Sequence, residues 1–344
     1  MSLRVVRGGL QTLVQDLGRY GLQHLGVVPG GAMDALAHRI ANALVGNAAE
    51  LATLECTVLG PTLVVEQHAL IALYGAAFEA RADDHPLPRN RPVLVRAGTT
   101  LALGHASRGA RAYLAIAGGF DVAAVLGSRS TYVPAAFGGL SGRALQPGDS
   151  VPGVADLARL SASRFERLVR RRGAIEHAAL RAVHWFAPEL DLPVGDVLRV
   201  RAMAGRHHAQ FDAASQHAFF AERWRIAPDS NRMGYRLEGP RLNRGSPVDI
   251  LSEATCLGTV QVPNDGAPIA LMADRQTTGG YPKIAEIAGA DIPALAQLAP
   301  GAYVHFVECS VDEADAARLA AEARLRPVLQ SIAAMYDTDG ADER

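Results

Sequence analysis

Short apolar runs of three to five residues, punctuated by glycine and proline, recur along the whole chain and limit the folds open to it. They lie at 63–66, 70–74, 93–96, 101–103 and 113–117, and again at 198–201, 248–252, 259–262, 269–273 and 303–307. Turn pairs such as Gly60-Pro61, Gly118-Gly119, Pro147-Gly148, Gly239-Pro240 and Pro300-Gly301 separate them. A doubly wound parallel sheet needs a helix of a dozen or so residues between successive strands, and that alternation is missing. The pattern predicts a mostly β protein made of antiparallel sheets or barrels.

Helices are few and carry their own signals. Asp34 is a good N-cap for a helix over 35–45, where Leu36, Ile40 and Leu44 fall on one face and Gly46-Asn47 supplies the stop. A second helix is expected within 211–224, and a short third one from Asp291. Ser310 and Glu313 have capping-box spacing ahead of a C-terminal helix reaching about Met335, with a frayed tail beyond it. Strand signals lapse between Val151 and Pro193, where 161–172 reads as an arginine-rich helix whose Arg170-Arg171-Arg172 cluster is a solvated face. The expected organisation is an N-terminal β-barrel domain over 1–150, a linker over 151–193, a second barrel over 194–309 and a helix with tail over 310–344.

At 344 residues the chain is long enough for two such domains. Its net charge of -1 offers no field for a phosphate backbone or an anionic membrane, so neither nucleic acid nor membrane is an expected partner. No apolar run approaches the roughly 20 residues of a bilayer span, and the first nine residues lack a secretory signal, so a cytoplasmic location is expected. Cys56, Cys256 and Cys309 have no ligand spacing and are read as reduced thiols.

Of 34 basic residues, 33 are arginine and one is Lys283. An ammonium is a compact charge whose pKa moves when it is desolvated, whereas guanidinium stays charged and flat. A coding bias toward arginine leaves a lone lysine equally well, but Lys283 ends the densest polar stretch of the chain, Gln261 to Lys283. Within it Gln276, Thr277, Thr278, Gly279, Gly280 and Tyr281 offer an amide, hydroxyls and bare backbone N–H groups, which suit recognition of an amide, a carboxylate or an oxyanion. A glycine-rich hairpin turn is the plainer reading of the same residues.

Upstream, Arg232, Tyr235 and Arg236 lie in the block 228–237, where the two arginines either present forks to a carboxylate or phosphate or pair with Asp229 and Glu253 as scaffold. A third polar segment, with Gln15, Asp16, Arg19, His24 and Asp34, precedes the first helix; it either holds an anion or is a structural loop. No G-x-x-x-x-G-K-[ST] loop and no G-x-S-x-G elbow occur, and His207, His208 and His217 lack a carboxylate at zincin spacing, so no metal site is expected.

In order along the chain, 12–19, 29–34, Leu54-Glu55, 127–132, 229–239 and 273–285 resemble the signature blocks of the KipA/PxpC family, also called allophanate hydrolase subunit 2 or biotin-dependent carboxyltransferase-like. The resemblance covers about residues 3–309. It implies two cyclophilin-like β-barrels and a protein that works with a KipI/PxpB-like subunit and a PxpA (LamB/YcsF-like) protein in ATP- and Mg²⁺-dependent opening of 5-oxoproline to glutamate. It also implies kinship with the carboxyltransferase region of urea carboxylase, which acts on another small amide, urea. A non-catalytic alternative is a KipA-like regulator that antagonises a KipI-type kinase inhibitor; prolyl isomerisation rests on fold analogy alone. Under this resemblance Lys283, Gln276, Thr277 and Thr278 are candidate catalytic residues. Arg232, Tyr235, Arg236, Gln261, Gly279, Gly280 and Tyr281 are candidate substrate ligands, with Gln15, Asp16, Arg19, His24 and Asp34 behind them. No biotin-attachment motif surrounds the single lysine, so any biotin is expected on another protein. The chain departs from the family pattern at 202–208, which lacks a Gly-Pro turn, and at 254–258, which lacks a proline, so a substrate other than 5-oxoproline stays open.

Overall fold

The computed structural model describes residues 2–170, 173–189, 197–245 and 250–336. Its chain divides into two compact units: 1–18 with 35–192 and 324–344, and 19–34 with 193–323.

The first unit is built on an eleven-stranded sheet. Its backbone is two long antiparallel strands, Ala69–Ala82 and Thr100–Ile116, paired from Ile71↔Ile116 to Ala82↔Leu101. The sequence pattern shows only the apolar ends of the second one, at 101–103 and 113–117. Between them the register shifts three times, and the polar residues there ride on bulges. Gly75, at φ +119°, is one such point: a Cβ would lie 2.6 Å from the Arg111 carbonyl oxygen. Strands Gln11–Gln15 and Thr53–Thr57 extend the sheet through Leu13↔Glu55 and Glu55↔Tyr113. The polar run after Gly9 is therefore partly strand and not loop.

Helix α1, Ala35–Leu44, packs its buried Ala37, Ile40, Ala41 and Leu44 in this unit and starts one residue after Asp34, as expected. The stretch 151–193 is no linker. Ser150–Pro152 pairs with Ser2–Arg7, Leu180–Val183 pairs with Val93–Val95, and helix α2, Leu157–Val169, buries Leu157 and Phe165. Its strands are three or four residues long and extend the sheet at its two ends, too short to show periodicity.

In the second unit seven strands close into a barrel in the order Val197–Ala204, Lys283–Ile287, Thr259–Gln261, Ile269–Leu271, Gly234–Glu238, Arg223–Ile226 and Tyr303–Glu308. Six neighbouring pairs are antiparallel, and the seam between Val197–Ala204 and Tyr303–Glu308 is parallel. Alternation fills the interior: Trp224 and Ile226 are fully buried while Arg223 and Arg225 face outward. Phe219 of α3, Ala213–Ala221, stacks on Phe306 at 4.7 Å, and Asp212 caps α3 through the Ser215 N–H at 2.7 Å. Helix α4, Ile292–Ala296, follows Asp291, whose carboxylate grips Arg201 with contacts of 2.9 and 2.5 Å.

Helix α5, Val311–Ala334, begins with the capping box read from the sequence: the Glu313 carboxylate accepts from the Ser310 N–H at 2.7 Å and Ser310 Oγ accepts from the Glu313 N–H at 3.2 Å. The expected strand 248–252 lies partly outside the described residues; Ile250 to Ser252 form none, and a two-residue strand follows at Glu253–Ala254. Arg171, Arg172 and the tail 337–344 lie outside the described residues.

Candidate functional site

Lys283 opens a barrel strand opposite Gln261, next to a bulge between Val260 and Gln261. The residue is 6% exposed. The ammonium lies 2.8 Å from Glu253 Oε1 and donates to the Ala254 carbonyl at 2.5 Å. Its backbone is locked to His207: the Lys283 N–H donates to Nδ1 at 3.2 Å, and the His207 N–H donates to the Lys283 carbonyl at 3.0 Å. With Nδ1 accepting, the neutral ring carries its proton on Nε2. Burial holds the His207 pKa below the ordinary value against the pull of Glu253, and so favours that neutral form.

Two carboxyls beside this lysine are driven in opposite directions. The Lys283 hydrogen bond holds Glu253 below the usual carboxylate range. Burial raises Glu286, three residues along the strand, despite a 2.7 Å hydrogen bond from Thr259 Oγ1 and the charge of Lys283. Such a split is how neighbouring carboxyls come to serve one as fixed charge and one as proton carrier. Sequence reading misses His207 as a partner and misses Glu286 altogether. The only signal is the placement of Glu286 on the same strand as the lone lysine.

The polar loop after Arg275 is held to this centre by a short ladder. Glu253 pairs with Gly279 and Ala254 with Thr278; the Thr255 N–H donates to the Thr277 carbonyl at 2.9 Å, and Thr255 Oγ1 to the Gln276 carbonyl at 2.5 Å. Gln276, Thr278, Gly280 and Tyr281 face solvent, Thr277 is half-buried, and Gly279 is buried. Gln261 is buried and donates weakly to the Tyr281 carbonyl at 3.4 Å. A Cβ on Gly279 would meet Gln261 Nε2 at 2.6 Å and Gln276 Nε2 at 3.2 Å, so glycine there lets two side-chain amides converge.

The block 228–237 serves the scaffold. Arg232, 3% exposed, closes its fork on Asp274 with two contacts of 2.9 Å and donates to the Gly31 carbonyl at 2.6 Å. Chain order alone offers Glu253 as a partner for these arginines; register gives Asp274 instead, and Glu253 takes Lys283. Tyr235 points into the barrel core, and exposed Arg236 pairs with Asp229 at 2.9 Å. Arg232 and Tyr235, expected as substrate ligands, thus both have scaffold contacts in the folded chain.

The second-tier residues are divided between the two units. In the first unit, Gln15 is buried and donates to the Thr131 carbonyl at 3.1 Å. Burial raises the Asp16 pKa, but hydrogen bonds from Ser128 at 2.6 Å, Ser130 at 2.5 Å and the Arg129 and Gly18 amides outweigh it and leave the carboxyl below its usual range. Asp16 is therefore a loop organiser for the 128–130 segment. In the second unit, Arg19 is buried, His24 lies exposed in a 3₁₀ turn, and Asp34 accepts from Gln297 Nε2 at 2.7 Å. A further polar layer of the first unit, unread in the sequence, joins His38 to Thr53 at 2.9 Å and Tyr113 to Glu55 at 2.8 Å. Among the described residues no group of three His, Cys, Asp or Glu side chains could hold a metal ion.

A closed barrel thus carries an ammonium fixed between a carboxylate and a backbone carbonyl, with an amide- and hydroxyl-bearing loop tied beside it, an arrangement of donors able to face a negatively charged oxygen. The model of the carboxyltransferase domain, subdomains A and B, matches residues 25–308, and the chain belongs to that family. It is 42% identical over 316 residues to the C component of the 5-oxoprolinase of Escherichia coli K12, covering 92% of this chain and 94% of that one. The component of the same name from Haemophilus influenzae is 38% identical, covering 88% and 89%. Among solved structures, the urea amidolyase of K. lactis superposes with a TM-score of 0.83 at 29% identity, covering 95% of this chain and 20% of that one.

Proposed function

We propose that this chain is a subunit of an ATP-dependent 5-oxoprolinase, which opens 5-oxoproline to glutamate together with a KipI/PxpB-like subunit and a PxpA-like protein in the cytoplasm. The observation that carries this is the 42% identity to the E. coli protein across nearly the full length of both chains. No helix among the described residues is long and apolar enough to cross a membrane.

A lactam is a poor electrophile because nitrogen donates into the carbonyl. ATP and Mg²⁺ would supply the activation at the level of the complex; among the described residues of this chain no group of three His, Cys, Asp or Glu side chains could hold a metal ion. The part of this chain is to bind and stabilise. Lys283, held by Glu253 and the Ala254 carbonyl, neutralises negative charge developing on the carbonyl oxygen. The Gln276, Thr277 and Thr278 loop, with Gln261 and the backbone of Gly279 and Gly280, recognises the amide edge. Glu286, whose pKa burial raises, carries the proton between carbonyl and nitrogen sites.

The structural match to urea amidolyase favours a second reading, a carboxyltransferase-type subunit for urea or another small amide, with biotin on another protein.

The test is glutamate release from 5-oxoproline with ATP and Mg²⁺, using this chain with both partners and omitting each in turn. Turnover requiring all three supports the reading. Lys283→Ala then lowers kcat about 10²–10³-fold, the scale of losing one oxyanion donor, and Lys283→Arg fails to restore it, because a fork does not fit the point contact with Glu253. Full activity of Lys283→Ala removes the lysine from the mechanism. A stable complex without turnover points to another amide or to a KipA-like regulatory role.

A further inference from the structure

Arg275, the residue just ahead of the Gln276–Gly280 loop, is only 8% exposed, and its Nε is buried with no acceptor among the described residues. Its acidic neighbour Asp274 is fully engaged by Arg232. Burial pulls the Arg275 pKa down, and the side chains that act on it electrostatically are Tyr20 and Cys256, with no carboxylate among them. Guanidinium does not shed its proton in a protein, so a buried one without a counter-ion is a standing cost that a bound anion relieves.

The ladder ties the loop that follows Arg275 to the Lys283 centre. Glu253 pairs with Gly279, Ala254 with Thr278, and Thr255 bonds to the backbone of Thr277 and Gln276; the next residue, Cys256, is an electrostatic neighbour of Arg275. Cys256 follows two residues after Ala254, whose carbonyl receives the Lys283 ammonium. Two cations, Arg275 and Lys283, thus bracket the Gln276–Tyr281 loop along the chain. Lys283 has its carboxylate partner, and Arg275 has none among the described residues.

We propose that Arg275 is the specificity residue for the substrate carboxylate: it binds the carboxylate of a small lactam acid while the lactam carbonyl addresses the Lys283 end. The inference rests on the lactam-opening reading above and deepens it, since urea has no carboxylate to offer.

The experiment uses the reconstituted complex and compares 5-oxoproline with 2-pyrrolidinone, the same ring without the carboxylate, for the wild type, Arg275→Gln and Arg275→Lys. Arg275→Gln should raise KM for 5-oxoproline about 10- to 100-fold, the worth of a charge-assisted pair, while moving kcat and the 2-pyrrolidinone reaction little, so that discrimination collapses. Arg275→Lys should keep part of it. Removing an unpaired buried charge should leave the melting temperature of the chain unchanged or higher; a fall of several degrees would mean that Arg275 is scaffold and would overturn the assignment. So would continued turnover of 5-oxoproline with its preference intact in Arg275→Gln. If the wild-type complex never opens 5-oxoproline, the functional reading fails first. Ligand-observed NMR of the chain then decides on Arg275: 5-oxoproline binding, absent for 2-pyrrolidinone and lost in Arg275→Gln, keeps the carboxylate site, and equal binding of both rings ends it.

Discussion

Replacing Asp274 by alanine separates scaffold from site in the second unit. The Asp274 and Arg232 side chains are each 3% exposed, and two 2.9 Å contacts join them. Without Asp274 the guanidinium loses both 2.9 Å contacts and keeps the Gly31 carbonyl at 2.6 Å. Breaking one side of a buried pair costs about 3–5 kcal/mol. At roughly 2–4 °C per kcal/mol for a domain of this size, the melting temperature should fall by about 6–20 °C. Asp229→Ala is the internal control: its pair with Arg236 has the same 2.9 Å distance, but the aspartate is 67% and the arginine 55% exposed, where such pairs are worth about 0–1 kcal/mol. The double variant Arg232→Met with Asp274→Leu should recover most of the loss, because apolar residues of similar volume replace a buried ion pair without an orphaned charge. Circular dichroism melts at pH 7 read all three. An Asp274→Ala melt within about 2 °C of wild type would refute the reasoning, and a double variant that refolds fully but loses affinity for 5-oxoproline would return Arg232 to the substrate site.

Gly279→Ala should lower activity more than stability, since the new methyl meets flexible amide ends of Gln261 and Gln276 and pushes them from their shared place; kinetics alongside a melt will tell, and unchanged kcat/KM would argue against an amide-recognition role. Acid should destabilise the fold through His38 and His207, whose pKa values burial depresses: their contribution is complete above the unfolded value of about 6.5 and is lost as pH falls toward the folded values. Urea melts at pH 7.5 and 5.5 should differ in that direction, and His38→Asn should flatten the difference. Thiol labelling should be selective, because Cys256 is exposed whereas the Cys56 thiol is buried and pushed up to about 12. Cys56 labelling at the rate of Cys256 in the native chain would contradict its burial.

What could be read in advance followed from local chemistry. The capping box at Ser310 and Glu313 is a contact over three residues, and it forms as read. The helix after Asp34 and the mostly β content are legible for the same reason. The long strand Thr100–Ile116 is not, because bulges place residues such as Gly104, Ser107 and Arg108 in its middle and break the period-two signal. The short pieces between 150 and 183 that complete the first sheet are hidden for another reason: three or four residues carry too little pattern to announce a strand.

Residue order was enough for the fold class, the caps, the near-neutral charge and the presence of one lysine in a polar loop. What that lysine faces emerged only on folding. Its partners Glu253 and His207 lie 30 and 76 residues away, and Asp274, 42 residues from Arg232, takes the arginine that motif reading offers to substrate. Such pairings depend on strand register, and a slip of one residue turns every side chain of a strand to its other face. No local property of the chain encodes that choice; closure of the barrel makes it, and in doing so it leaves Arg275 buried without an acid among the described residues.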